Sequence, residues 1–292
     1  MKSGFVAIIG RPNVGKSTLL NSILGEKVAI VSDKPQTTRN HIRGIYTEND
    51  YQIIFIDTPG IHKPKNKLGS FMIEMAENSL NEVELVLLLV DESLTIGPGD
   101  RYILDLLTKI KTPKYLLINK IDKMTPDGFK QVYDEYTRQD IFDEIFGISA
   151  LAGDNVKKLV EAIKTKMPDG PQYFPGDIVT DHPERFIITE IIREKLLHYL
   201  DCEVPHGVAV EIETYSEEKD ITKIGAIIYC EKKSHKGIII GKDGKKLKGI
   251  GKSARIEIEA LLGIKVYLEL WVKVKENWRE SDFLLNSFGY KK

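Results

Sequence analysis

Cysteine is scarce: the 292 residues include two, Cys202 and Cys230. Neither sits in a C-x-x-C pair or has a histidine at zinc-ligand spacing, which argues against a zinc module or a disulfide scaffold. Two free, packed thiols in a reducing compartment is the favoured reading, with a single bridge as the alternative. Long apolar runs are missing too. The most apolar stretch, Leu85–Val90 between Glu84 and Asp91, is far too short to cross a bilayer and reads as a buried strand. Residues 1–10 hold a short apolar run that Gly10 and Arg11 end too early for a signal peptide. These absences predict a soluble, cytoplasmic protein with no transmembrane segment. The formal net charge is −1, so any affinity for nucleic acid has to come from local clustering. There is no internal repeat and no low-complexity tract.

What is present is an alternation. Phe5–Ile9, Tyr51–Ile56, Leu85–Val90, Tyr115–Ile118 and Ile145–Ile148 read as strands, and Ser17–Leu24, Ser70–Glu82, Arg101–Lys109, Phe129–Thr137 and Val156–Lys166 as helices. This predicts an α/β domain over 1–167, a mostly parallel sheet with helices on both faces. Ligands bind such folds beyond the carboxyl ends of the strands. Residues 168–183 are dense in Pro, Gly and Asp and read as a linker. Over 184–292 the order changes to an α+β domain. It starts with helix Phe186–Leu200 and the strand pair Val208–Tyr215 and Ala226–Glu231, joined by the turn Ser216–Asp220. Two helical stretches follow, one on each side of Gly249-Ile250-Gly251, then strand Val266–Val274 and helix Trp278–Phe288.

The first strand runs into Gly10-Arg11-Pro12-Asn13-Val14-Gly15-Lys16-Ser17, a G-x-x-x-x-G-K-S loop with a strand before it and a helix after. Glycine there lets successive N–H groups turn toward phosphate oxygens, and the helix adds its positive end. Lys16 reaches the terminal phosphates, Ser17 offers a hydroxyl to Mg²⁺, and Thr18 extends the contact. The next long strand ends in Asp57-Thr58-Pro59-Gly60. Asp57 there can hold Mg²⁺ through a water, and the Gly60 N–H can meet a γ-phosphate. Between these motifs, Asp33-Lys34-Pro35-Gln36-Thr37-Thr38-Arg39 supplies a threonine for the metal, and Thr37 and Thr38 both qualify. Asn119-Lys120-Ile121-Asp122 follows another strand. The Asp122 carboxylate can accept two parallel hydrogen bonds from N1–H and N2–H₂ of guanine, an edge that adenine lacks. Asn119 can hold N7, the Lys120 stem can lie along the purine, and Ser149-Ala150-Leu151 can offer a backbone N–H to O6. A chance origin for all of these in this order is negligible, and they point to GTP and GDP as ligands.

These motifs resemble the P-loop GTPases, and among them the Era family, the bacterial ribosome-assembly GTPases. The residues carrying that resemblance are Gly10–Ser17, Pro35-Gln36-Thr37-Thr38-Arg39 and Asp57-Thr58-Pro59-Gly60-Ile61-His62. The resemblance places Thr38 at the family's magnesium-sensing threonine and implies a hydrolytic site built on Lys16, Thr38 and Gly60. One departure from the Ras type matters. Ile61 stands where a water-orienting glutamine would follow D-x-x-G, and isoleucine cannot orient water. Related GTPases with an asparagine in the phosphate loop use K⁺ in place of an arginine finger, which implies that role for Asn13.

From Lys232 to Arg255 there are nine Lys or Arg and one Asp. Inside this stretch lies Gly237-Ile238-Ile239-Ile240-Gly241-Lys242-Asp243-Gly244-Lys245-Lys246, followed by Leu247 and Lys248. The G-x-x-G turn, Gly241 to Gly244, joins two short helices and permits close approach of a sugar-phosphate chain. Lys242, Lys245, Lys246 and Lys248 add charge, and Ile238–Ile240 can lie beside unstacked bases. With the element order, this resembles a type II KH RNA-binding domain. Trp271 and Trp278 read mostly as packing residues, with base stacking as the lesser alternative. The Era resemblance, covering nearly the whole chain, implies binding to the 3′ end of small-subunit (16S) ribosomal RNA. It also implies a role on the small ribosomal subunit and, in some members, peripheral contact with the inner face of the cell membrane. The rival reading is an RNA-binding assembly scaffold that keeps GTP as a structural ligand with negligible turnover. In a further variant the KH domain docks protein.

Overall fold

The computed structural model describes residues 1–61, 63–201 and 203–290. Two compact units divide the chain, Met1–Lys65 with Gly69–Asp181, and Asn66–Leu68 with the chain from His182 onward.

The first unit opens with β1 (Lys2–Gly10), α1 (Lys16–Leu24), β2 (Ile42–Glu48) and β3 (Tyr51–Asp57). It continues through α2 (Lys67–Asn78), β4 (Leu85–Val90), α3 (Pro98–Leu107), β5 (Lys114–Ile118), α4 (Pro126–Thr137), β6 (Glu144–Gly147) and α5 (Val156–Lys166). The sheet order is β2-β3-β1-β4-β5-β6, with β2 antiparallel to β3 and the other pairs parallel. Alternate residues of each strand face opposite sides. Ala7, Ile9, Val86, Leu88, Leu116 and Ile118 pack on one side against Ile103, Leu104 and Leu107 of α3 and Val132 and Tyr136 of α4. On the other side, Leu20 and Leu24 of α1 press on Gly44 of β2, and Tyr115 meets the Ala162 carbonyl of α5. The expected α/β architecture is thus present, and burial on both faces explains why β4 reads as an unbroken apolar run.

Strand β2 is an element that the sequence reading missed. Its alternation is interrupted by Gly44, but Asn49, with φ 50°, makes the tight turn into β3, and the pair Asn49-Asp50 is a legible hairpin signal. Residues 168–181 are laid along this unit. The buried Gln52 amide accepts the N–H groups of Tyr173 and Phe174 and donates to the Phe174 carbonyl, and the Ser3 hydroxyl donates to the Pro171 carbonyl.

The second unit runs α6 (Glu184–Tyr199), β7 (Val208–Glu217), β8 (Ile221–Cys230), α7 (Lys233–Ile240), α8 (Lys245–Leu262), β9 (Lys265–Val274) and α9 (Asp282–Ser287). β8 is central, antiparallel to β7 and parallel to β9. Ile188, Ile192 and Leu196 of α6, Ile239 of α7, and Ile250, Ala254 and Ile258 of α8 pack on Val208, Ile224, Ile228 and Val266 of the sheet. The element order is that of the expected KH domain.

Two expectations need correction here. Gly249-Ile250-Gly251 does not separate two helices, because α8 runs straight through it. Ile250 is buried in the core, and a Cβ on Gly249 would stand 2.9 Å from the Tyr199 ring, so this glycine lets α8 approach α6. The last helix does not span Trp278–Phe288. A 3₁₀ turn, Trp278–Glu280, precedes α9, and Ser281 caps the latter by accepting the Leu284 N–H. Trp278 is a packing residue, fully buried, its indole N–H donating to the Gly207 carbonyl at 3.0 Å. Trp271 is half exposed on the sheet's outer face, its ring over Gly225. Cys230 is a buried free thiol, and Cys202 lies outside the described residues. Among the described residues no helix is long and apolar enough to cross a membrane.

Candidate functional site

Four of the chemical motifs of the first unit follow the carboxyl end of a strand: Gly10 ends β1, Asp57 ends β3, and Asn119 and Ser149 come just after β5 and β6, while the loop that carries Thr38 lies between α1 and β2. These ends meet around a cavity of about 440 Å³, lined among others by Asn13, Gly15, Lys16, Ser17, Thr18, Thr38, Gly60, Asn119, Lys120, Asp122, Ser149 and Leu151. Of the remaining expected contacts, Gly10, Val14, Asp57 and Ala150 are buried.

At the phosphate end, Gly15 caps α1 in a left-handed conformation. The buried Lys16 ammonium donates to the carbonyls of Arg11 at 2.9 Å and Gly10 at 3.3 Å. Burial lowers its pKa to about 8, with Asp57 pulling the other way. Ser17, Thr38 and Asp57 converge: the Ser17 hydroxyl donates to Asp57 Oδ2 at 2.6 Å and stands 3.0 Å from the Thr38 hydroxyl, which is 3.4 Å from the same carboxylate oxygen. Burial raises the Asp57 pKa to about 6, against the lowering effects of Lys16, Ser17 and Thr38. The other oxygen, Oδ1, is buried with no hydrogen-bond partner. An orphaned carboxylate oxygen beside two hydroxyls is an oxygen donor set that suits Mg²⁺.

Between the two threonines the geometry decides. Thr37 turns back into its own loop, its hydroxyl donating to the Lys34 carbonyl at 2.5 Å, while Thr38 meets Ser17 and Asp57. Gly60 lies against the phosphate loop, where a Cβ would stand 2.7 Å from the Pro12 backbone. Ile61 is buried in the core under the sheet, its N–H donating to the Gly10 carbonyl, so its side chain has no place in the chemistry. His62 lies outside the described residues. The Asn13 amide donates to the Asp33 carbonyl across the cavity mouth.

At the base end, Asn119 donates to the Val14 carbonyl at 2.7 Å and accepts the Ala150 N–H at 2.9 Å. The Ala150 N–H is thus taken by Asn119 in this structure. Ser149 has a role that sequence reasoning missed. Its hydroxyl donates to Asp122 Oδ1 at 2.6 Å and accepts the Ala152 N–H at 3.1 Å, which orients the carboxylate. The signal was available in the residue type: a hydroxyl at this position can serve as donor and acceptor at once. Lys120 lies at φ 64°, its ammonium 3.2 Å from Glu92 and 3.7 Å from Asp91.

In the second unit, Gly241 closes α7 with φ 72°, Asp243 has φ 53°, and Gly244 opens α8 in the left-handed region. A Cβ on Gly241 would meet that of Lys246 at 2.7 Å, so the turn admits only glycine there. Gly237, Lys242, Asp243, Lys245 and Lys248 are exposed, and Lys246 is partly so. The isoleucine run needs correction: Ile238 is exposed and Ile240 half-buried, but Ile239 is fully buried in the core and cannot touch a base. The helical period sends the middle residue of the three inward.

Next to this turn, a groove of about 540 Å³ runs between α8 and β9, with Leu247, Gly251, Leu268 and Leu270 in its lining and Lys248, Lys252 and Arg255 on its helix side. The sequence expectation stopped at Lys248. Lys252 and Arg255 follow it at the i+4 and i+7 spacing that continues one helix face, and Tyr267 flanks the groove from β9.

Comparison with known proteins agrees with both units. A family described as "50S ribosome-binding GTPase" matches residues 5–120, and one described as "KH domain" matches residues 203–279. The chain is 62% identical to "GTPase Era" of Alkaliphilus oremlandii (strain OhILAs) over 291 residues, 99% of each sequence. It is 57% identical to "GTPase Era" of Clostridioides difficile (strain 630), covering 99% of this chain and 98% of that one. A crystal structure of Era in complex with MgGDPNP and nucleotides 1506–1542 of 16S ribosomal RNA superposes with a TM-score of 0.96 at 42% identity, over all of both chains. An Aquifex aeolicus Era variant bound to GDP·AlF₄⁻ gives the same figures.

Proposed function

The chain belongs to the Era family of GTPases, and from that membership we propose that it hydrolyses GTP in an Mg²⁺-dependent reaction and binds the 3′ end of 16S rRNA during small-subunit assembly in the cytoplasm. The observation that carries the nucleotide half is that Lys16, after β1, and Asp122, after β5, line one cavity. The KH half rests on the glycine turn and the basic groove beside it. The matching GTPase family is described by the large subunit, but the structural relative at 42% identity holds 16S rRNA, and that relative covers the whole chain.

The chemistry follows from the residues. Lys16 places a charge among the terminal phosphate oxygens, and the N–H groups of the loop and of α1 share that load. Mg²⁺, when bound by Ser17, Thr38 and Asp57, would neutralise charge between the outer phosphates. Thr38 and Gly60 lie in the two loops that would sense the γ-phosphate, and loss of that group releases both. With Ile61 in the core, the described residues offer no side chain in the glutamine position to orient water. The rate is therefore set by positioning, backbone donors and a group brought by a partner or an ion. Asn13 and the Asp33 carbonyl lie together at the cavity mouth, an amide and a backbone carbonyl of the kind that K⁺ takes. Peripheral membrane contact has no feature of the described residues behind it and forms no part of the proposal.

Phosphate release measured with and without a 16S 3′-end oligonucleotide tests the reading. Turnover with Mg²⁺ that is faster in K⁺ than in Na⁺, together with oligonucleotide binding that depends on GTP analogue versus GDP, is expected. Tight GTP binding with no turnover under any of these conditions would favour the scaffold reading.

A further inference from the structure

Arg11, the second residue of the phosphate loop, does not point into the cavity. Its Nη2 donates to Asp91 at 2.9 Å and its Nε to Asp100 at 2.8 Å, and its side chain lies along Gly99 at the start of α3. Asp91 follows β4 directly and is more than a partner for Arg11. The same oxygen accepts the Ser93 N–H and hydroxyl, and the other oxygen stands 3.7 Å from the Lys120 ammonium. Burial pushes the Asp91 carboxyl up, but Ser93, Arg11 and Lys120 outweigh it and hold the group below its ordinary range. Asp100 is likewise saturated, accepting the Gly97 N–H at 3.1 Å as well as Arg11.

We propose that Asp91 is a positioning residue that couples the two ends of the nucleotide cavity, holding the phosphate loop through Arg11 and the base-side lysine through Lys120, so that guanine seating and phosphate seating reinforce each other. The inference rests on the guanine-nucleotide reading of the cavity. Neither Arg11 nor Asp91 touches the ligand in this scheme. They act because the loop carbonyls that Lys16 holds and the Lys120 stem that flanks the base are both tied from behind to the Asp91 carboxylate, with Glu92, 3.2 Å from the Lys120 ammonium, as a second anchor on the base side only. A shared carboxylate makes the two contacts non-additive, the mark of coupling between neighbours.

The test is a double-mutant cycle on release of a fluorescent GDP by stopped flow, using Asp91→Asn, Arg11→Met and Lys120→Met singly and in pairs in the full-length protein. Asn preserves the shape of Asp91, and Met preserves each alkyl stem. Asp91→Asn is expected to speed release about fivefold, the scale of a partly buried ion-pair network. It should also raise KM for GTP by more than it changes kcat. In either Met background the Asp91→Asn effect should shrink to under about twofold. A release rate within about twofold of wild type for Asp91→Asn, or a full effect that persists in the Lys120→Met background, would overturn the coupling. Arg11→Met reads the same link from the exposed side and keeps the question answerable if the Asp91 variant is unstable. Failure of wild type to retain GDP would instead sink the cavity reading, and the inference with it.

Discussion

Asn119 and Val14 are joined across the cavity, the Asn119 amide donating to the Val14 carbonyl at 2.7 Å while its oxygen takes the Ala150 N–H at 2.9 Å. One buried side chain therefore fixes the phosphate loop and the loop after β6 to the end of β5. Asn119→Ala leaves a buried carbonyl and a buried N–H unpaired, each costing about 1–3 kcal/mol. The nucleotide-free variant is expected to melt at a lower temperature, and its GDP release to accelerate by roughly tenfold or more. Calorimetry and stopped-flow fluorescence check the two effects in one preparation.

Ser149 orients Asp122 through a 2.6 Å hydrogen bond. Ser149→Ala frees the carboxylate to rotate, and GDP affinity is expected to fall about five- to tenfold. Ser149→Thr retains the hydroxyl and should recover most of it. Isothermal titration of both variants provides the comparison.

The buried Asp57 carboxyl gives a pH signature. Burial raises its pKa to about 6, above the unfolded value near 3.9. The folded protein then holds this proton more tightly than the unfolded chain. The group's contribution to stability is full below about pH 4 and is lost as pH rises through about 6. Without nucleotide, wild type should lose roughly 2–3 kcal/mol relative to Asp57→Asn between pH 4 and 6.5, because a 2-unit shift carries about that energy. Paired denaturation series in urea measure it. Mg²⁺ with GDP should reduce this difference, since a cation favours the ionised form.

In the KH unit, Gly241 combines φ 72° with a 2.7 Å approach to the Lys246 Cβ. Gly241→Ala should deform the turn and weaken oligonucleotide binding about tenfold or more while GTP hydrolysis without RNA stays at the wild-type rate. Lys252→Ala should act differently, weakening binding evenly across sequences and lowering the salt slope by about one. Fluorescence anisotropy over a salt series separates a shape defect from a lost phosphate contact.

Much of this was legible because the chemistry sits where strands end. The apolar runs of β1, β3 and β5 show which loops share an edge, and Lys16, Asp57, Asn119 and Asp122 are found from the residues at or after the ends of those runs. What stayed hidden depends on side chains meeting across the chain. The hydroxyl of Ser149 shows that it can donate and accept, but nothing local names Asp122 as its partner, or says that Arg11 would turn away from phosphate toward Asp91 and Asp100. The isoleucine run shows the same limit from the other side. Ile238, Ile239 and Ile240 look alike in sequence, and only the packing of α7 on β8 decides that the middle one is core. Gly249 misled because a glycine needed for helix contact with Tyr199 has the same letter as one that ends a helix. Strand β2 was overlooked because Gly44, which makes room for Leu20 and Leu24, breaks its alternation.

The most direct test is nucleotide competition against fluorescent GDP on wild type and Asp122→Asn. If Lys16 and Asp122 grip opposite ends of one guanine nucleotide, GTP should outcompete ATP by about 10⁴-fold or more, and Asp122→Asn should move the preference toward XTP, whose C2 carbonyl accepts what the new amide donates. ATP competing as well as GTP, or a preference untouched by Asp122→Asn, would contradict the account.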